Sequence, residues 1–585
     1  MKQFFKFVFA TIVGIVITTV LFLIVCVGII AAVSGDKTVD VSSNSVLHIV
    51  FKANIPERTP DNPLAGLLGI DEKVIGLDDI LANIKKAKTD DHIKGIFLDE
   101  SYMLSGQATT EEIRNALIDF KKSGKFVVAY AEIYTQSFYY LASVADKVYI
   151  NPKGIFDLHG FSSQVTFLKG ALDKLGIDMQ IIKVGTYKSA VEPFFLTKMS
   201  PANREQVTSY LGSMYDFFLT NISASRHINK DTLFNVANNM LVRTPQDALK
   251  YKLVDGIKYK DELLDELRSR TGTDKKKNVR SVDITKYTKA DGDNDRDTSG
   301  NSRIAIVYAS GEISGGEGDD NSIGSDKLSA TLRKVRMDDK VKAVVLRVNS
   351  PGGSSLASDV IWREVALTKK VKPIIVSMGD VAASGGYYIS CAADSIFAEP
   401  NTITGSIGIF AVLPNMQKFF NDKLGVTFDG VKTGKYADLG NVSRPLTADE
   451  KAILQTQVNR GYDEFTKAVA NGRRKTQEYI NSIGQGRVWT GKQALKIGLV
   501  DRLGSIDDAI ACAAKKAKVK SYNVVPYPEL NNSLLKSLGR GASSHVRVSM
   551  LKSEMGDNYK YYEKIKEASQ LSGLQMRMAY EVEVR

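Results

Sequence analysis

The chain has 585 residues, 43% of them hydrophobic and 25% charged, which leaves room for several globular domains. Its net charge is +12 with a pI of about 9.1, but Lys and Arg are interspersed with Asp and Glu throughout. Without a zinc-knuckle, RNP or helix-turn-helix pattern, nucleic acid is not expected as a partner. Cys26 lies in an apolar run and Cys391 and Cys512 have no nearby partner, so no disulfide framework is indicated; the five histidines form no HExxH, and no metal or cofactor is expected.

At the N-terminus, Lys2 and Lys6 precede 29 uncharged residues, Phe7 to Gly35. As a helix rising about 1.5 Å per residue, this run exceeds a hydrocarbon core of roughly 30 Å. It is also longer than the apolar stretch of about 7–15 residues in a cleaved signal peptide. The expectation is an uncleaved anchor over residues 7–35. By the positive-inside rule, residues 1–6 stay cytoplasmic and everything after the anchor is exported.

Beyond a polar stretch comes a strand-like run, Val46 to Phe51, and a helical segment around Asp78–Lys88. The pattern Asp90-Asp91-His92-Ile93-Lys94-Gly95-Ile96-Phe97-Leu98 returns as Asp338-Asp339-Lys340-Val341-Lys342-Ala343-Val344-Val345-Leu346, with Asp339 248 positions after Asp91. The same offset relates Tyr139-Tyr140-Leu141-Ala142 to Tyr387-Tyr388-Ile389-Ser390. Such a long period is a duplication and not a solenoid. Alternating β-branched and amphipathic runs make each half an α/β unit. The expected layout is a first domain at 36–269, a charged linker at 270–302, a second domain at 303–523 and a C-terminal extension at 524–585 of unassigned role.

The second half carries Gly379-Asp380-Val381-Ala382-Ala383-Ser384-Gly385-Gly386-Tyr387 between a strand-like and a helix-like run. A serine there sits at a helix N-terminus, where free N–H groups favour an anion. It is not the G-x-S-x-G elbow, because Ala382 occupies the first glycine position. A plain tight turn is the competing reading of this stretch alone. The loop Asn349-Ser350-Pro351-Gly352-Gly353 can aim backbone N–H groups at an anion, and with Gly385 could form a two-donor oxyanion hole. The equivalent first-half positions are Gln136 for Ser384 and Ser101 to Ser105 for the turn, so that half lacks both. Conversely, Lys188 in Gly185-Thr186-Tyr187-Lys188 aligns with Ala437. A lysine acts as a base only when its pKa of about 10.4 is pulled down, here by apolar neighbours such as Val184, Val191 and Phe194. The complementary losses imply one composite site per chain.

These motifs, together with Thr404-Gly405-Ser406-Ile407-Gly408, resemble the family of bacterial signal peptide peptidase A (protease IV) in its long, duplicated form. The resemblance runs from the anchor to about Asp508. It implies an α/β fold of two tandem ClpP/crotonase-like domains built from repeated ββα units. It further implies that Ser384 is the nucleophile, Lys188 the general base and Ser406 the residue orienting that lysine, with Gly353 and Gly385 as oxyanion donors. The expected partners are peptides, chiefly signal-peptide remnants, and the membrane. The expected assembly is a homotetramer at the inner membrane with its domains on the periplasmic side, and no cofactor is implied. A crotonase-type acyl-CoA enzyme and a catalytically silent membrane scaffold are the alternatives. Neither gives Ser384, Lys188 and Ser406 a task.

Overall fold

A computed structural model of the protein describes residues 2–33, 39–60, 74–99, 103, 105–290, 302–319, 322–528 and 573–578. Residues Lys2–Val33 form one helix. Among the described residues no helix is long and apolar enough to cross a membrane, so the fold does not establish the anchor expected over 7–35. Described side chains along this helix end at Phe22, and Ser34 and Gly35 lie outside the described residues.

The first half contains β1 (Ser45–Ile49), β2 (Ile93–Leu98), β3 (Phe126–Tyr134), β4 (Lys147–Phe156), β5 (Asp178–Val184), β6 (Gly256–Ile257) and β7 (Ser281–Asp283). All but β5 form one parallel sheet in the order β6-β4-β3-β2-β1-β7. The second half contains β8 (Arg303–Ser310), β9 (Glu312–Ser314), β10 (Ser322–Gly324), β11 (Val341–Ser350), β12 (Gly352–Ser354) and β13 (Ile374–Ala383). It continues with β14 (Ser395–Ala398), β15 (Ile403–Gly405), β16 (Ile409–Asn415), β17 (Val488–Thr490), β18 (Arg502–Leu503) and β19 (Asn523–Tyr527). A last strand, β20 (Gln575–Arg577), comes from the tail. The second large sheet runs β17-β15-β13-β11-β8-β19, with β14 also pairing β13. Its central strands are covered on both faces and read as apolar runs: Ala343, Val344, Val345 and Leu346 are all fully buried.

The duplication is visible helix by helix. Leu77–Thr89 and Gln107–Lys121 recur as Ser325–Met337 and Ser355–Lys369, each boundary displaced by 248. Two expected boundaries need correction. Part of the segment assigned to a linker, residues 270–302, belongs to the first sheet, because β7 pairs with β1. The second domain runs past residue 523, since β19 pairs with β8 through Tyr527. Both edge strands are short and flanked by charged residues, which hides them among polar sequence.

A third sheet, β10-β9-β12-β20-β16-β5, joins the halves. Here β5 of the first half pairs antiparallel with β16 of the second over seven residues, from Val184 opposite Ile409 to Asp178 opposite Asn415. Ile182 of β5 consequently packs in the second half's core.

Two polar ties reinforce this ladder. The helix Gln107–Lys121 has Gly106 at its N-cap and no capping side chain of its own. Asp380 of the other half supplies one: its Oδ1 accepts the N–H groups of Ala108 and Thr109 at 2.9 Å each. A Cβ on Gly106 would lie 2.1 Å from the Asp380 carboxyl carbon, so the position needs glycine. The second tie is Arg347 on β11, fully buried, which donates to Glu57 at 2.7 Å, Glu112 at 2.6 Å and Ser377 at 2.9 Å. Its two carboxylate partners hold the guanidinium above its ordinary pKa against the opposing effect of burial. Arg347→Met is expected to lower stability by about 3–5 kcal/mol, because it strands two buried carboxylates. Adding Glu57→Gln and Glu112→Gln is expected to restore part of the loss, read as the thermal midpoint of each variant.

Candidate active site

Strand β13 ends at Ala383, and the helix Gly385–Ser390 begins directly after Ser384. This sharp reversal holds Ser384 at φ 55°, ψ −114°, a conformation that costs a non-glycine residue on the order of 1–3 kcal/mol. The surroundings enforce it: Ser384 N–H donates to the Gly405 carbonyl at 2.8 Å, and its carbonyl accepts Tyr388 N–H at 2.8 Å. Ser406, just beyond β15, also has a positive φ of 50° and donates its N–H to the Arg487 carbonyl at 2.7 Å.

Strand β5 carries Lys188 to these serines. After β5 the chain is pinned by Tyr187 N–H donating to the Gln485 carbonyl at 2.9 Å. Lys188 is fully buried; its Nζ lies 2.9 Å from Ser384 Oγ and donates to Ser406 Oγ at 3.1 Å and the Ser406 carbonyl at 3.2 Å. Burial alone pulls its pKa down from 10.5 to about 7. Gly486 permits the close fit, since a Cβ there would lie 2.6 Å from Lys188 N. The Phe410 ring, 5.9 Å from Nζ, forms an apolar wall. Val191 and Phe194, anticipated as neighbours of the lysine, pack with Phe410, and Val184 pairs with Ile409.

A neutral amine has two N–H bonds and one lone pair. With the two N–H bonds directed to the Ser406 carbonyl and hydroxyl, the lone pair faces Ser384 Oγ. The arrangement can therefore take a proton from that hydroxyl.

The Pro-Gly-Gly turn lies against the start of the Ser384 helix: a Cβ on Gly352 would stand 2.6 Å from Gly385 N. Gly352 N–H donates to Ser350 Oγ at 3.1 Å, which leaves the Gly353 N–H as the turn's donor beside that of Gly385. Gly353 also packs so tightly on β9 that a Cβ would lie 2.1 Å from the Ile313 carbonyl oxygen. All five residues expected at the site thus lie within one region.

In the first half, Gln136 stands in the place of Ser384 and is tied to a turn, donating to the Gly160 carbonyl at 2.9 Å and accepting Gly160 N–H at 2.9 Å. The first-half counterpart of the Pro-Gly-Gly turn lies largely outside the described residues. Sequence reasoning missed the loop Gly484 to Arg487 that encloses the lysine; its Gly-Gln-Gly was the available signal. Among the described residues no group of His, Cys, Asp and Glu is placed to hold a metal ion.

The chain matches the peptidase family S49 twice, over residues 119–274 and 366–520. It is 38% identical to "Protease 4" of Salmonella typhi over 86% of this chain and 84% of that protein. It is 37% identical to "Protease 4" of Haemophilus influenzae, covering 79% of this chain and 77% of the other. It is 34% identical to "Serine protease SPPA, chloroplastic" of Arabidopsis thaliana, over 84% and 72%. A solved structure of a ClpP1 point mutant from Listeria monocytogenes aligns with 35% of this chain and 94% of its own, at a TM-score of 0.24 and 18% identity. With two matched segments and such coverage by its relatives, the chain belongs to peptidase family S49 and is a serine peptidase.

Proposed function

We propose that the chain is a Ser-Lys dyad endopeptidase that cuts extended, apolar peptides. The observation that carries this reading is the fully buried Lys188 amine held 2.9 Å from Ser384 Oγ. Neutral Lys188 takes the Ser384 proton as the oxygen attacks a peptide carbonyl, and Gly353 and Gly385 N–H groups stabilise the tetrahedral oxyanion. Lys188 then protonates the leaving amine, and water hydrolyses the acyl-enzyme. Ser406 positions the lysine. An extended peptide adds as a strand beside the Gly-Gly turn, its side chains entering apolar pockets.

The substrate class proposed is signal-peptide remnants left in a membrane, which matches the apolar site surroundings. The uncharged run from Phe7 to Gly35 supports a single-pass anchor with the catalytic halves exported. A homotetramer of ClpP/crotonase-like domains completes the proposal, from the family resemblance.

Detergent-solubilised protein is expected to hydrolyse an apolar signal-like peptide, and Ser384→Ala or Lys188→Ala to lower kcat by about 10⁴-fold or more while the protein still folds. Retained activity in Lys188→Ala would place the base elsewhere. The kcat/KM profile is expected to rise through about pH 7 as Lys188 loses its proton, and activity to be lost below it. The same burial affects stability. Between about pH 7 and 10.5 the unfolded lysine binds a proton that the folded one does not, so stability rises with pH across that window. Below it, folding bears the full cost of a buried ammonium. Lys188→Met is therefore expected to raise Tm at pH 6 while abolishing turnover.

A further inference from the structure

Lys188 and Ser406 meet from different halves, and one helix of the first half holds the segments on which both depend. The helix Pro201–Arg226 starts after Ser200, whose side chain accepts Asn203 N–H. Glu192, just beyond Lys188 in sequence and buried, fixes this start: it accepts Ser200 Oγ–H at 2.6 Å and Asn203 Nδ2–H at 2.9 Å. A turn into the helix come Glu205 and Gln206, and both reach towards the site.

Gln206 is 1% exposed. Its Nε2 lies 3.1 Å from the Tyr187 carbonyl and 2.9 Å from Ser189 Oγ, so it binds the residues on either side of Lys188. Its Oε1 accepts Val488 N–H at 3.2 Å. Val488 follows Arg487, whose carbonyl accepts Ser406 N–H at 2.7 Å. One amide therefore ties the segment carrying the lysine to the segment holding Ser406. Its orientation is set by chemistry. A carboxylate only accepts, so Asn203 turns its Nδ2 to Glu192 and its Oδ1 to Gln206 Nε2, at 3.1 Å. That leaves Gln206 Nε2 towards Tyr187 and Oε1 towards Val488. Glu205 repeats the tie between side chains: Tyr187 Oη–H donates to it at 3.1 Å, and Arg487 Nη1 pairs with it at 3.1 Å. The Arg487 guanidinium also lies 4.8 Å from the centre of the Tyr187 ring.

We infer that Gln206 is a positioning residue for the Ser-Lys pair, holding the lysine segment against residues 487–488 so that Nζ stays on Ser384 and Ser406 and water stays out. The inference rests on the Ser-Lys reading above. The charged groups on the elements around the lysine are Lys183 on β5, Glu192, Glu205 and Arg487. Glu192 is taken up by Ser200 and Asn203, Glu205 pairs with Arg487, and Lys183 Nζ lies 5.7 Å from the centre of the Phe195 ring. Burial alone lowers the Lys188 pKa, so a loosened enclosure is read directly as a rise of that value.

The test compares full-length wild type, Gln206→Met and Ser189→Ala in detergent, on an apolar signal-like peptide, from about pH 5.5 to about pH 10. Methionine keeps the volume of the glutamine and removes its hydrogen bonds. Gln206→Met is expected to lower kcat at about pH 7 by roughly 10–100-fold with KM unchanged, the usual cost of a small misplacement in a reacting constellation. The acid limb of kcat/KM is expected to move up by about one unit, because a wetter amine keeps its proton to higher pH. Part of the lost activity then returns at about pH 9.5. Ser189→Ala removes one partner of the amide and is expected to move the limb the same way by less. It decides the matter if Gln206→Met does not fold, as read from its thermal midpoint. A limb that stays in the wild-type position in the folded variant, whether kcat falls equally at every pH or not at all, overturns this inference alone. A wild-type profile without a limb near pH 7 overturns the Ser-Lys reading with it.

Discussion

Keeping water from a lysine amine pushes it toward its neutral form near pH 7, and the protein's architecture is arranged around that exclusion. Among the described residues Lys188 has no carboxylate to compensate it; burial alone sets its pKa near 7. Burying an amine this completely takes walls from several elements. Strand β5 delivers it, β16 supplies Phe410, and the 484–487 loop closes over its backbone. No single half could do this, because the lysine belongs to one half and nearly all of its enclosure to the other.

The ties between the halves sit close to the reacting groups. Asp380, which caps a helix of the first half, is four residues before Ser384 on the same chain segment. Arg347 lies on the strand that leads into the Pro-Gly-Gly turn, and its partner Glu57 also accepts from Asn349 at the end of that strand at 2.8 Å. Movement of the first half would thus pull on both the serine and the turn as well as on the lysine. The positive φ of Ser384 is tolerable in such a frame, since hydrogen bonds on both sides of the residue hold it.

Much of this was legible in the sequence because duplication supplies an internal control. Two copies at a fixed offset made it possible to ask what each had kept, and Ser384 and Lys188 emerged with the glycine turns, whereas Ser406 entered only through the family resemblance. The elements that escaped do not carry a local signal. β7 and β19 are short edge strands amid charged residues, so their periodicity is weak. Asp380 stands within the serine motif, yet its task depends on a helix 271 residues away in sequence. The pairing of β5 with β16 is a long-range contact that no local pattern reports. The tail has neither repeat partner nor motif, and β20 is three residues long.

The division of Lys188 and Ser384 between two copies of one ancestral unit has a genetic consequence. On the proposed Ser-Lys reading each half holds one member of the pair that meets at 2.9 Å, so a chain lacking either half would lack the site. A fission of the gene between the halves would survive selection only if the two products still found each other through β5 and β16. That ladder therefore doubles as the surface through which two separate products of such a fission would have to recognise each other.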